Sequence, residues 1–81
     1  MVKINDSNGV LFSLNKLIEK INLGDIDFET QLRFIQNNWL DENGRAFLEI
    51  FKIAQQTDKT TLLEVVCHYK EKLTQVAAYL S

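Results

Sequence analysis

Trp39-Leu40-Asp41-Glu42-Asn43-Gly44 decides the fold. It is the sharpest break in a chain that has no proline, and it lies near the middle of 81 residues. Asp41 or Asn43 can accept hydrogen bonds from the free backbone N–H groups of a following helix. Asp41 and Glu42 also suit the positive end of that helix's dipole. A connection of about two to five residues is what two antiparallel helices need. The stretch therefore predicts a helix on each side of a Trp turn near residues 39–44.

Working back from Trp39, the apolar positions form a ladder. Its rungs are Leu14, Ile18, Ile21, Phe28, Leu32, Ile35 and Trp39, with Asp25 as the polar exception. The steps alternate between four and three residues, the seam of one helix packing on another. Two readings compete at Leu23-Gly24-Asp25. It is a turn, with Asp25 or Asp27 capping a new helix. Or the helix runs through, weakened by a glycine that costs about 1 kcal/mol. The unbroken phase of the ladder favours the continuous helix.

Working forward, the seam is Phe47, Phe51, Ala54, Asp58, Leu62, Val66, Tyr69, Leu73, Val76 and Leu80. Ala54, Asp58 and Leu62 are spaced four and four, a stutter that a continuous helix absorbs by unwinding locally. Gln55–Thr61 is polar, and Thr61 with Glu64 has capping-box spacing, which offers a break there. Continuity is again the favoured reading. Before the first helix, Asn5, Asp6, Ser7, Asn8 and Gly9 form a cluster of turn residues, with Ser7 or Asn8 as a candidate cap.

A second apolar set lies off the seam. Phe12, Leu23 and Phe34 recur every eleven residues, about three helical turns, and so share a side. Leu11 and Ile26 lie near it. A two-helix hairpin has one internal seam and cannot hide a second stripe. The expected fold is therefore all-α: one domain over residues 1–81, an antiparallel helical hairpin that completes a four-helix bundle by association. Phe12, Leu23, Ile26 and Phe34 form the expected partner interface. The partner is a second copy of the chain or another helical chain. The alternative is a compact bundle of four shorter helices within one chain.

Composition narrows the function. Nine Lys and Arg stand against eleven Asp and Glu, a net charge of −2, without the basic face of a nucleic-acid module. No apolar run approaches the length of a membrane span. Met1-Val2-Lys3-Ile4-Asn5-Asp6 lacks a cleavable signal pattern, so the expected location is cytoplasmic, with any export by a signal-peptide-independent route. Cys67 is the only cysteine and His68 the only histidine. Adjacent helical residues point about 100° apart, so the two make neither a chelate nor a nucleophile–base pair. The expectation is a buried thiol beside a half-exposed imidazole. No phosphate loop occurs, and Asp25, Asp27, Glu29 and Asp58 read as caps or solvated charges. No enzyme activity, cofactor or metal is expected.

The Trp turn adds one further clue. Phe47 follows Trp39 by eight residues and is preceded by the small residue Ala46. This layout resembles the WXG family of small helical-hairpin proteins linked to bacterial type VII secretion. In that family a Trp-x-Gly turn joins two long antiparallel helices. The resemblance covers roughly residues 8–80 and places the turn motif on Trp39, Asp41, Gly44 and Phe47. The family's glycine falls at Asp41, with a glycine only at Gly44. Its C-terminal Tyr-x-x-x-acid export signal is missing, because only Leu80 and Ser81 follow Tyr79 and Leu73 stands four residues after Tyr69. The resemblance implies a type VII secretion substrate, partner or targeting chaperone. The alternative is a small acidic immunity or inhibitor protein that binds a toxin or enzyme. Long continuous arms favour the first and broken arms the second.

Overall fold

The computed structural model describes residues 3–80, with the side chains of residues 3–76. It contains four helices: α1 Ser7–Leu23, α2 Glu29–Asn38, α3 Glu42–Ala54 and α4 Lys59–Leu80. Both breaks are real, although continuity was the favoured reading at each. The two long arms are each divided, and the compact four-helix alternative describes the chain.

The breaks have local causes. Gly24 ends α1 in the left-handed region, at φ 77°, where a side chain is strained. Asp25 N–H donates to the Lys20 carbonyl and Gly24 N–H to the Ile21 carbonyl, the paired bonds of a Schellman end. Asp25 then accepts from the Asp27 N–H at 2.9 Å and from Lys20 Nζ at 3.0 Å. Those bonds hold the turn that turns Phe28 inward. The second break follows Ala54. Thr57 N–H and Thr57 Oγ1 both donate to the Ala54 carbonyl, closing the end of α3. Asp58, one residue before α4, accepts from the Thr61 N–H at 2.7 Å. Thr61 is thus the donor of the cap, and the Thr61–Glu64 capping box that offered this break does not form. At the start of the chain Asp6, not Ser7 or Asn8, caps α1 by accepting from the Gly9 N–H.

The Asp58 bond links the break to pH. The Thr61 N–H holds the Asp58 carboxyl below its ordinary range, and the Asp27 N–H, then Lys20, do the same to Asp25. A carboxyl whose folded pKa lies below its unfolded value stabilises the fold above the unfolded value, near about 4. That contribution disappears as pH falls through the folded pKa. Melting temperature should therefore decline below about pH 4. Asp58→Asn keeps a capping side chain but cannot titrate. It should flatten part of that decline, and an unchanged acid limb would remove Asp58 from the account.

The helices form a ring: α1 packs on α2, α2 on α3, α3 on α4, and α4 closes on α1. The molecule measures 34 × 20 × 19 Å. At roughly 1.5 Å per residue, the 22-residue α4 spans the long axis, and shorter helices line its inner side. The interior is apolar. Val10, Leu14, Leu17 and Ile21 of α1 meet Phe28, Ile35 and Trp39, then Phe47, Phe51 and Ala54, then Leu62, Val66, Tyr69 and Leu73. Ladder positions Ile18 and Leu32 are partly buried against this core. Asp25 and Asp58, the polar rungs, sit in the two turns at one end of the bundle. The side chains of Tyr79 and Leu80 lie outside the described residues.

The other end is built on Trp39, which is 3% exposed. Its ring stacks on Phe47 at 6.2 Å between centroids and meets the edge of Tyr69 at 6.2 Å. Asp41 caps α3, accepting from the Asn43 and Gly44 N–H groups. Across this corner runs an extended segment. Asn5 N–H donates to the Asn38 carbonyl, Leu40 N–H donates to the Lys3 carbonyl, and Ile4 faces Trp39 as an antiparallel bridge.

Candidate interaction surface

The turn motif Trp39, Asp41, Gly44 and Phe47 is structural. Trp39 and Phe47 are core residues, and Asp41 is a helix cap. Gly44 is buried against Trp39: a Cβ there would strike the Trp39 carbonyl oxygen and lie 2.8 Å from the indole Cγ. Asp41 stands where the resembled family has glycine, and Gly44 provides the close approach to the indole.

The expected partner stripe does not survive as one face. The eleven-residue spacing aligns Phe12, Leu23 and Phe34 only on an unbroken helix, and α1 ends at Leu23. Phe34 sits on α2, partly buried against the core and close to Gly9. The other three are in water: Phe12 is 65% exposed, Leu23 76% and Ile26 86%.

Leu23 and Ile26 flank the Gly24 turn. Ile26 borders two clefts. One, about 740 Å³ and open to solvent, runs between α2 and α3 over Phe28, Leu32 and Leu48. The other, about 450 Å³, lies between the Gly24 turn and the Asp58 turn over Ile21, Phe28 and Leu62. Phe28 floors both, held edge-on to Phe51 at 5.3 Å. The rim of the larger cleft is charged, with Asp27, Glu29 and Glu49 against Arg33 and Lys52, and Arg33 pairs with Glu29 along α2. An apolar floor with a mixed-charge rim can bind a protein surface.

Sequence reading missed a further exposed set. Ile50 and Ile53 of α3 are out in water, with the partly buried Ala46 on the same side. The signal was present, since 46, 50 and 53 have helical spacing, but the seam through Phe47 and Phe51 drew the reading to the neighbouring face, about 100° round the helix.

Cys67 and His68 are both exposed, which corrects the expectation of a buried thiol. The inward face of α4 runs through Leu62, Val66, Tyr69 and Leu73, and position 67 points away from it. His68 lies edge-on to Tyr69, with ring centroids 5.3 Å apart. Among the described residues, no three His, Cys, Asp or Glu side chains gather as metal ligands. No described helix is long and apolar enough to cross a membrane. The chain matches no protein-family model, no curated protein and no solved structure.

Proposed function

We propose that this chain is a non-enzymatic binding module that recognises another protein through the corner of the bundle around Ile26. One observation carries the reading: Ile26, 86% exposed, lines both clefts floored by Phe28, with Leu23, 76% exposed, on the other side of the Gly24 turn. Exposed apolar groups grouped within a polar rim mark binding surfaces. The divided arms favour the small acidic immunity or inhibitor class. A secretion partner of the WXG type ranks second, because a second chain is not needed to complete four helices.

The test is a surface change that leaves the core alone. Leu23→Ser with Ile26→Asp should hold helicity and stability within about 0.5 kcal/mol, as surface substitutions usually do. The wild-type chain should sediment as a monomer at micromolar concentration. It should retain one specific protein that the double variant fails to retain. Equal retention by both chains would refute the Ile26 corner as the site. A wild-type dimer that the double variant splits would transfer the reading to self-association.

A further inference from the structure

We infer that Lys3–Asn5 form a clasp that opens and closes over Trp39 while the bundle stays folded. The contact is small. Among the described residues it consists of one bridge pair, Ile4 with Trp39, two backbone hydrogen bonds, Asn5 N–H to the Asn38 carbonyl at 2.8 Å and Leu40 N–H to the Lys3 carbonyl at 2.7 Å, and a longer bond from the Lys3 N–H to the Asp41 carboxylate at 3.4 Å. Lys3 and Asn5 are exposed, so Ile4 alone anchors the segment by its side chain. A pairing of one rung falls far short of the three strands that give a sheet independent stability.

The elements on either side do not depend on it. Asp6 caps α1 by its own bond to the Gly9 N–H, so the helix start survives release of the residues before it. Asp41 meets the Lys3 N–H only through Oδ2 at 3.4 Å, and its Oδ1 holds the Asn43 and Gly44 N–H groups. The cap of α3 therefore also survives. The Trp39 ring stays held from within by Phe47 and Tyr69. Opening thus breaks no helix and no aromatic contact. It uncovers the outer side of Trp39 and frees the Leu40 N–H and Asn38 carbonyl beside the half-exposed Leu40. A free donor and acceptor next to an apolar side chain are the groups that an extended peptide pairs with in strand addition.

This clasp lies at the opposite end of the bundle from Ile26, and it stands or falls independently of the binding role assigned to that corner. Amide hydrogen exchange on the full chain provides the first test. The Leu40 amide should exchange about 100-fold or more faster than those of Phe51 and Val66, through an opening insensitive to denaturant, as local openings are. Ile4→Asp provides the second. It should keep the helical signal and a cooperative melt, while the emission of Trp39, the only Trp in the chain, shifts to the red and becomes accessible to a neutral quencher. A Leu40 amide as slow as those of the core would overturn the clasp. So would an Ile4→Asp variant that loses its cooperative melt, or one whose Trp39 emission does not move.

Discussion

Trp39→Ala is expected to lower stability by about 3–5 kcal/mol, the range for emptying a buried large aromatic site. Small domains hold about 5–15 kcal/mol in total, so the loss is a large share of what keeps the chain folded. Two features put the site near the upper end. The ring is 3% exposed, and it contacts both Phe47 and Tyr69. Neighbours anchored on two other helices cannot collapse freely into the void. At about 4–8 °C per kcal/mol for a domain of this size, the melting temperature should fall by roughly 12 °C or more. A melt within a few degrees of wild type would show that the aromatic cluster does not anchor this end of the bundle.

Gly44→Val should carry the next largest penalty, and Gly44→Ala should already show its sign. Inside an ordinary helix, replacing Gly by Ala gains about 1 kcal/mol. At position 44 the added Cβ meets the Trp39 carbonyl oxygen and comes within 2.8 Å of the indole Cγ. The first obstacle is backbone, and the second is a ring wedged between Phe47 and Tyr69, so neither yields cheaply. Overpacking of this kind costs about 1–3 kcal/mol, and the branched Val belongs at the top of that range. Urea unfolding of the two variants measures it. A Gly44→Ala chain more stable than wild type would mean that the corner has slack.

Much of the interior was legible from periodicity alone. Leu14, Ile21, Phe28, Ile35, Trp39, Phe47, Phe51, Ala54, Leu62, Val66, Tyr69 and Leu73 were all read as seam positions, and all are buried. The Gly24 break was misread for a physical reason, while the eight-residue step from Ala54 to Leu62 was taken for local unwinding. A short turn that returns the chain to the same core can preserve the spacing of inward residues, so Ile21 and Phe28 stay seven apart whether or not the helix continues. Phase therefore reports which residues face the core, not whether the backbone between them is helical. The better evidence was chemical. Asp25 and Asp58 are polar residues at seam positions, one beside a glycine and the other after Gln55-Gln56-Thr57. Both lie in turns. Val10 and Leu17 escaped the reading because α1 packs on both α2 and α4 and needs a face wider than one seam. The surface was less legible. Ile26 was singled out by its neighbourhood in a supposed stripe, yet its exposure comes from the Gly24 turn that the stripe denied.

The ring of helices also fixes how the chain can assemble in time. Three of its four packings join helices adjacent in sequence, through connections of only a few residues. Such contacts close quickly because little chain entropy is lost in bringing them together. The packing of α1 on α4 alone must span the whole of α2 and α3. Proteins dominated by local contacts fold in microseconds to milliseconds. The slow coordinate expected here is the meeting of the outermost helices, α1 and α4. Substitutions on the α1–α4 seam, such as Val10 or Leu73, then act mainly on how fast the native ring reopens, provided that seam is the last to form.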